Sequence, residues 1–378
     1  MGPLNILHIF RAPVGGLFRH VLDLAREQIA RGHRVGLIAD RRTGGERAEE
    51  QFAKLAPGLA LGLSRVPMRR HIGPSDALVL THVMRRIAES KADVVHGHGG
   101  KGGAYARLAL NRRRALRTYT PHGGSLLFSS DTLAGRIYLG TERLLMPRGD
   151  LYLFESAYSA STFSRKVGAP PGLTRVVHNG VAPEEFEPVA VRPDASDIVF
   201  VGELRLLKGV DVLIDAIALL RSRGRAVTAT LVGDGPERDM FRAQVARLKL
   251  DHVIRFPGAM PARQALALGR TMVVPSRIES LPYIVLETAA SGKPLIATKV
   301  GGIPEIYGAL SVNLVPAEDA PALAEAIGRS LDEPAAVAAA AAALRARVAA
   351  SFSLSAMAEG VLNAYGEGLA ALAGTARR

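Results

Sequence analysis

Residues 200–220, FVGELRLLKGVDVLIDAIALL, combine a short apolar strand, a charged loop and an amphipathic helix. Gly202 ends the strand, the loop carries Arg205 and Lys208, and Gly209 precedes the helix. Arginine offers planar paired donors, lysine is a compact charge, and the start of a helix is the positive end of its dipole. The segment therefore predicts a doubly wound α/β unit with a cradle for a diphosphate. An ordinary solvated loop is the alternative interpretation.

Short apolar runs and helical patterns alternate on both sides of this segment, which is typical of parallel α/β sheets. Upstream, strands are predicted at residues 4–10, 35–39, 94–96, 116–120, 151–154 and 175–177, with a helix at 18–31. Downstream, strands are predicted at 198–201, 228–232, 253–256, 272–274 and 295–297, with helices at 210–220 and 238–248.

A segment rich in proline and acidic residues, 182–197, separates the two series and reads as a linker. We therefore predict two Rossmann-like domains, residues 1–183 and 184–358, that face a central cleft. Residues 359–378 are expected to form a helix that packs back on the first domain. Ligands of such sheets bind beyond the carboxyl ends of the strands, so the loops at those ends are the candidate site.

Composition narrows the class of protein. The chain has no cysteine, which excludes disulfides and thiolate metal sites and suits a reducing compartment. The N-terminal apolar run is too short and too polar for a secretory signal, and the alanine-rich run at 334–344 is too short to span a bilayer. A cytoplasmic protein is the expectation.

The net charge of +13 is concentrated in the first half of the chain. Residues 1–183 carry 27 Lys+Arg against 13 Asp+Glu, and residues 184–378 carry 21 against 22. This asymmetry indicates an anionic partner, such as a nucleic acid, an acidic membrane surface or a phosphorylated acceptor. An arginine-rich genome would leave the same pattern. Nucleic acid is disfavoured because aromatic residues make up only 5% of the chain and Trp is absent.

Two loops of the first half contain candidate site residues. Gly15 and Gly16 precede a helix, where backbone amides can approach an anion, although a tight turn explains them as well. His122, in TYTPHGGS, stands between proline and glycine at a strand end and is the best catalytic candidate among the ten histidines. His98 and Lys101, in VVHGHGGKGG, are expected to line the cleft. The His-x-His pair suggests a metal, but the sequence indicates no third ligand, so none is expected.

The segment ESLPYIVLETAASGKP, residues 279–294, is the strongest local signal of the second half. Glu279 precedes the predicted helix, and Glu287 lies two turns along it on a similar face. Amides of Leu281 and Tyr283 could meet a phosphate or a sugar. A carboxylate at Glu287 suits adjacent ribose hydroxyls, because it accepts two hydrogen bonds. Two surface glutamates on one helical face are the alternative.

Together these segments resemble the family 4 glycosyltransferases of GT-B fold, which retain anomeric configuration. The matching stretches are VGGLFRHVLDLAREQIARGHRV (14–35), TYTPHGGS (118–125), VVHNGVAPEEFEP (176–188), ELRLLKGVD (203–211), ESLPYIVLE (279–287) and KVGGIPEIYG (299–308). They cover nearly the whole chain in the order that the family shows. The resemblance implies a nucleotide-diphosphate sugar as donor, transfer of a hexose-type sugar, and no metal or other cofactor.

The resemblance also implies roles for individual residues. Catalytic roles fall to four residues: His122 beside the transferred sugar and acceptor, Glu279 on the sugar, and Lys208 with Arg205 on the diphosphate. Donor contacts are implied for Gly15, Gly16, Gly202, Leu281, Pro282, Tyr283 and, through the ribose, Glu287. One departure stands out, because Glu203 occupies the position where the family usually has arginine. Arg205 is expected to replace that charge.

The sequence leaves the substrates open. UDP and GDP sugars are both compatible. Arginines at positions 69, 70, 112–114 and 117 make the first domain basic, which suits a glycan or a lipid-diphosphate acceptor at an anionic membrane surface. Arg69, Arg70, His98 and Lys101 are the predicted acceptor contacts. Cell-envelope polysaccharide synthesis at the inner face of the cytoplasmic membrane is the expectation. A nucleotide-sugar 2-epimerase and a non-enzymatic nucleotide-sugar-binding protein are the alternatives.

Overall fold

The computed structural model of the protein describes residues 2–109 and 115–375. The arginines at positions 112–114, part of the basic cluster of the first domain, lie outside the described residues. The chain forms two compact units. The first unit comprises Met1–Asn179 together with Leu354–Arg378, and the second comprises Gly180–Ser353.

The first unit is built on a seven-stranded parallel sheet. Its strands are β1 (Asn5–Phe10), β2 (Arg34–Asp40), β3 (Leu63–Val66), β4 (Val94–His98), β5 (Leu116–Thr120), β6 (Leu151–Phe154) and β7 (Leu173–Val176), in the spatial order β3-β2-β1-β4-β5-β6-β7. The helices are α1 (Gly15–Ala30), α2 (Gly45–Leu55), α3 (Ser75–Ser90), α4 (Gly99–Leu108), α5 (Leu133–Leu145) and α6 (Ala157–Lys166). Short 3₁₀ turns lie at Ala56–Gly58, Gly124–Leu127 and Met146–Arg148. The strand order reverses at β1: β2 and β3 lie on one side of it, and β4 to β7 lie on the other.

Strand β3 is the one strand of this sheet that the sequence pattern missed. Its four residues, LSRV, are all half-buried at the edge of the sheet. An edge strand buries too little side-chain area to require an apolar run, so its sequence is hard to distinguish from a loop. Helix α1 begins at Gly15 rather than at the predicted residue 18, because the paired glycines belong to its first turn.

Helix α4 lies unusually close to the sheet. A Cβ at Gly102 would stand 2.1 Å from the carbonyl oxygen of Ile9 on β1, so only glycine permits this approach. The glycines of VVHGHGGKGG thus serve close packing of a helix on central strands, and that packing buries the side chains at the end of β4.

The second unit repeats the design with five parallel strands. These are β8 (Ser196–Val201), β9 (Ala229–Val232), β10 (Ile254–Gly258), β11 (Gly269–Val274) and β12 (Leu295–Ala297), in the spatial order β10-β9-β8-β11-β12. The helices are α7 (Val210–Ser222), α8 (Arg238–Arg247), α9 (Ala262–Leu266), α10 (Tyr283–Ala290), α11 (Ile303–Tyr307), α12 (Ala320–Asp332) and α13 (Pro334–Ser351). Further 3₁₀ turns lie at Pro183–Phe186, Leu206–Lys208 and Gly308–Asn313.

The units divide a few residues earlier than the sequence boundaries at 184 and 359. The first residues after Asn179 belong to the second unit, because the amide of Val181 donates to the carbonyl of Phe352 at 2.9 Å and Val181 bridges to Ser353. The last helix, α14 (Leu354–Thr375), belongs to the first unit and packs against α1, β5 and β6. No helix in the described ranges is both long and apolar enough to cross a membrane.

Candidate functional site

The carboxyl ends of the central strands hold the candidate residues in both units. In the first unit, β1 leads to Gly15, β4 ends at His98, and β5 leads to His122. In the second, β8 leads to the loop with Lys208, and β11 leads to Glu279. The strand order reverses at β1 and again at β8, and this is where parallel α/β sheets bind ligands.

The start of helix α1 is open to a ligand. Gly15 has φ of 63°, and a Cβ there would meet no atom within 4 Å. Gly15 and Gly16 are exposed, and the residue before the helix, Val14, makes no side-chain cap. The start of α1 is therefore exposed at the positive end of a long helix, which suits an anion.

Five histidines form a cluster at the same edge of the sheet. Its members are His8 from β1, His20 from α1, His96 and His98 from β4, and His122 after β5. His8 Nε2 donates to Gln28 Oε1 at 2.8 Å. His8 Nδ1 lies 2.9 Å from His98 Nε2, and His98 Nδ1 lies 3.0 Å from His122 Nε2. A hydrogen-bonded series of imidazoles thus runs from Gln28 to His122.

Burial holds these imidazoles in the neutral form. Desolvation lowers the pKa of His8 to about 4, and desolvation, with help from neighbouring His122, lowers the pKa of His20 to about 3. Desolvation also places the pKa values of His96 and His98 well below their usual range and lowers the pKa of His122 to about 3. Near neutral pH the cluster therefore offers lone pairs and N–H donors without charge.

His122 combines partial exposure with an uncommon backbone. Its φ of 52° is left-handed, and its ring is half-buried, whereas His98 is fully buried. The structure therefore places His98, a predicted acceptor contact, behind His122, with both of its ring nitrogens engaged by other imidazoles. In this arrangement the ring of His98 is buried and reaches His122 through a hydrogen bond.

A buried network fixes the loop that follows His122. Glu142 accepts hydrogen bonds from Ser125 Oγ at 2.8 Å and from Tyr119 Oη at 2.7 Å. The guanidinium of Arg107, fully buried, pairs with the other carboxylate oxygen at 2.7 Å. The sequence alone does not predict this polar core beneath the loop, because its members lie on different elements.

The predicted acceptor residues of the first unit separate into two places. Lys101 is tied to Asp76 by contacts of 2.5 and 2.7 Å, so its charge is offset. Arg69 and Arg70 are exposed, and Arg69 borders a concave site of about 320 Å³ after β2 and β3. This arginine pocket is lined by Arg41, Arg42, Pro67, Arg69 and Ser75. Arg41 and Arg42 were not identified from the sequence.

In the second unit, Gly209 lets two loops meet. It has φ of 69°, and a Cβ there would lie 1.9 Å from the carbonyl oxygen of Pro275. The amide of Arg277 donates to the carbonyl of Leu207 at 2.9 Å, which joins the loop after β8 to the loop after β11. Arg277 also forms contacts of 2.7 Å with the carboxylate of Asp211 and 2.8 Å with Glu318. Arg277, missed from the sequence, thus fixes the loop that carries Lys208.

The structure brings Lys208 and Glu279 together. Lys208 Nζ donates to Glu279 Oε1 at 2.6 Å, and Ser276 Oγ donates to the same oxygen at 2.7 Å. Glu279 is 8% exposed, whereas the lysine side chain is 26% exposed. A buried carboxylate therefore positions a lysine whose ammonium group has two further protons to offer a ligand.

The departure at Glu203 has a structural consequence. Arg205 Nη1 lies 3.8 Å from Glu203 Oε2, and both side chains are exposed. Arg205 was expected to supply the charge that the family places at position 203. Here part of that charge is offset by Glu203 itself.

The remaining donor residues surround the start of α10. Leu281, Pro282 and Tyr283 are buried, with Pro282 immediately before the first helical residue. Glu287 lies half-buried in the second turn of the helix. Gly202 stands at the end of β8, where its amide donates to Val232 at 3.0 Å.

The fold and these two sets of residues define a glycosyltransferase of GT-B fold, and the chain belongs to the family 4, group 1 glycosyltransferases. The profile described as Glycosyltransferase Family 4 matches residues 14–185, and the profile described as Glycosyl transferases group 1 matches residues 195–333.

Curated relatives agree on the family and differ in substrate. The chain is 30% identical to WcaL of Escherichia coli K12, named as a colanic acid biosynthesis glycosyltransferase, over 68% of this chain and 66% of WcaL. It is 27% identical to a glycogen synthase of Mycobacterium tuberculosis over 93% of this chain and 91% of that protein. A D-inositol 3-phosphate glycosyltransferase of Saccharomonospora viridis is 28% identical, with 96% and 91% covered.

Solved structures share the fold at low sequence identity. HepE of Anabaena, in complex with UDP-glucose, has a TM-score of 0.81 at 20% identity, with 96% of this chain and 100% of HepE covered. The sucrose-phosphate synthase of Thermosynechococcus elongatus has a TM-score of 0.80 at 22% identity, with 97% and 100% covered.

Proposed function

We propose that this glycosyltransferase transfers a hexose from a nucleoside diphosphate, UDP or GDP, to an anionic glycan or lipid-linked acceptor, with retention of anomeric configuration. The observation that carries the proposal is the Lys208–Glu279 contact of 2.6 Å at the carboxyl edge of the second sheet. It joins the two motifs that the family devotes to the donor. Binding of UDP-glucose by HepE, a structural neighbour, supports a nucleotide-sugar donor.

The charge on the leaving diphosphate is the chemical problem that these residues address. As the bond between the anomeric carbon and the phosphate oxygen breaks, negative charge grows on that oxygen. Lys208, Arg205 and the amides at the start of a helix stabilise this charge, and preorganised donors of this kind are effective because they need not reorient. Glu279 holds the ammonium group of Lys208 in place from a buried position.

The same face of the sugar accommodates the incoming acceptor. The acceptor oxygen bonds to the anomeric carbon as the phosphate departs, and the departing phosphate oxygen takes the acceptor proton. No protein base and no metal are required for this proton transfer. His122 remains neutral and supplies a hydrogen bond to the sugar through its imidazole.

The arginine pocket supports an anionic acceptor. Arg41, Arg42 and Arg69 line one concave site, and guanidinium groups bind phosphate with paired hydrogen bonds. A phosphorylated or lipid-diphosphate acceptor at an anionic membrane surface fits this charge, and cell-envelope polysaccharide synthesis is the corresponding process. Loss of acceptor-dependent turnover in Arg41→Ala or Arg69→Ala, with donor binding retained, would support this assignment.

Product analysis tests the proposed reaction. The purified protein is incubated with UDP- and GDP-hexoses and a phosphorylated acceptor in buffer with EDTA, and NMR reports the anomeric configuration of the product. Formation of an α-linked product from an α-linked donor is expected. An inverted product, or a requirement for added metal, would contradict the mechanism.

A further inference from the structure

The imidazoles of His20, His98 and His122 form a group that the proposed reaction does not use as a group. One ring nitrogen from each lies within 4.8 Å of the others. The ring centroids are separated by 4.7 Å for His20 and His122, 5.3 Å for His98 and His122, and 5.7 Å for His20 and His98. Three imidazoles on one tetrahedral zinc, with Zn–N near 2 Å, have centroids roughly 5 Å apart. We infer that these three histidines form a binding site for a transition-metal ion, and we call it the trihistidine site.

The outer nitrogens of two ligands are already oriented. His20 Nδ1 lies 3.0 Å from Asn179 Oδ1, an acceptor, so this nitrogen carries the proton and Nε2 is the ligand atom. Gln28 Oε1 accepts the proton of His8 Nε2, so His8 Nδ1 has no proton and accepts from His98 Nε2. His98 Nδ1 is therefore left with a lone pair. Outer partners that fix the tautomer in this way are typical of metal-bound histidines.

The third ligand needs one proton shift. His122 Nε2 donates to His98 Nδ1 across 3.0 Å in the metal-free protein. When an ion enters, the proton of His122 moves to Nδ1, and Nε2 becomes the ligand without a change in net charge on the ring.

A second group, His8, His96 and His98, also lies within 4.8 Å, but it is a poorer site. Both nitrogens of His96 are engaged, by Tyr365 Oη at 2.7 Å and Thr120 Oγ1 at 2.8 Å. All three rings are fully buried, whereas His122 gives the trihistidine site a side open to solvent.

The ligand set selects the ion. Imidazole suits Zn²⁺, Ni²⁺, Co²⁺ and Cu²⁺, whereas Mg²⁺ and Ca²⁺ prefer carboxylate and carbonyl oxygens, which this group lacks. The chain has no cysteine, so no thiolate competes for the ion. An ion bound to His122 withdraws that imidazole from the sugar, and Zn²⁺ should therefore inhibit transfer. This inhibition rests on the proposed function, whereas the binding itself does not.

Cobalt and zinc titrations test the trihistidine site. Co²⁺ is added to the metal-free protein, and the strong visible absorption of tetrahedral Co²⁺ is recorded; Zn²⁺ affinity is then measured by competition with a chelator. We expect one ion per chain. His20→Ala should abolish the cobalt spectrum, and Asn179→Ala should weaken zinc binding about 10- to 100-fold, as is usual for an outer partner. His71→Ala removes an exposed histidine and should leave both readouts unchanged.

Circular dichroism of each metal-free variant shows whether it folds. If His20→Ala does not fold, Asn179→Ala still tests the site. An absence of tetrahedral cobalt absorption, or zinc affinity that is equal in wild type, Asn179→Ala and His71→Ala, would overturn the proposal and leave only a hydrogen-bonded cluster. If zinc binds as expected and no sugar is transferred from any nucleotide, the proposed function fails while the site stands.

Discussion

The two units build parallel sheets of the same kind and place opposite chemistry at the carboxyl edges. In the first unit the edge holds neutral, buried imidazoles and the uncapped amides of α1. In the second unit it holds ionic contacts, with Lys208 on Glu279 and Arg277 on Asp211. Nine of the ten histidines lie in residues 1–179. One kind of parallel sheet therefore supports a neutral, polar edge in the first unit and a charged edge in the second.

The largest expected effect comes from the charged edge. Replacing Lys208 with alanine removes the donor that offsets charge on the leaving group, and kcat should fall about 10²- to 10³-fold, as for loss of an oxyanion donor. Steady-state kinetics measures this loss, and Lys54→Ala, at an exposed helical lysine, is the matched control. Equal activity in the two variants would mean that Lys208 serves only its contact with Glu279.

The neutral edge of the first unit should lose stability in acid. The pKa values of His8, His20 and His122 are depressed from 6.5, so the unfolded chain binds more protons than the folded one below that pH. The stability they contribute is present above pH 6.5 and is lost as pH falls towards 4. In that window each ring should lower the free energy of unfolding by about 1.4 kcal/mol per pH unit, which gives ~4 kcal/mol for three rings at pH 5.5.

Peptide-resolved hydrogen exchange, corrected for the intrinsic effect of pH, measures this difference between the units. Protection should fall first in the first unit as the solution is acidified, because the second unit contains only exposed His252. Simultaneous loss of protection in both units would contradict the comparison.

A smaller effect, on the free energy of unfolding, is expected from a substitution in the buried network beneath His122. Glu142→Gln leaves the guanidinium of Arg107 buried without its counter-charge, and the free energy of unfolding should drop by about 3 kcal/mol, as for a broken buried pair. Glu89→Gln, at an exposed ion pair on α3, should change it by less than ~1 kcal/mol. Chemical denaturation compares the two variants, and similar losses in both would show that burial does not distinguish them.

The smallest expected effect is a gain in nucleotide affinity. Glu203→Arg removes the carboxylate that lies 3.8 Å from Arg205 and restores the charge that the family usually carries there. A new charged hydrogen bond to the diphosphate should strengthen nucleotide binding by roughly tenfold. Glu325→Arg, at an exposed position on α12 of the second unit, is the charge-matched control for isothermal titration calorimetry. Unchanged affinity in Glu203→Arg would show that Arg205 already meets the need for charge.

Much of the fold followed from apolar periodicity, because buried parallel strands need continuous apolar runs. Each of the six upstream and five downstream predicted strands overlaps an observed strand. The edge strand β3 was missed because half-burial leaves a mixed sequence. The boundaries at 184 and 359 were displaced because the pairing of Val181 with Ser353 is made across a long stretch of chain, which no local pattern reports.

The candidate site was less accessible to sequence reasoning. Motifs identified Lys208, Glu279 and His122 singly, but not the lysine–glutamate contact. The sequence indicated no third imidazole near His96 and His98, because His8 lies on a neighbouring strand and meets His96 only through the register of β1 and β4. Contacts between elements far apart in sequence depend on strand order, which periodicity alone does not provide.

Binding of nucleoside diphosphates tests the central claim most directly. Isothermal titration calorimetry with UDP, GDP and ADP, in buffer with EDTA, compares wild type, Lys208→Ala and Lys54→Ala. Wild type and Lys54→Ala are expected to bind UDP or GDP alike, and Lys208→Ala should bind it at least about tenfold more weakly because one charged hydrogen bond is lost. Binding that requires a metal ion, or equal affinity in wild type and Lys208→Ala, would contradict the proposed donor site.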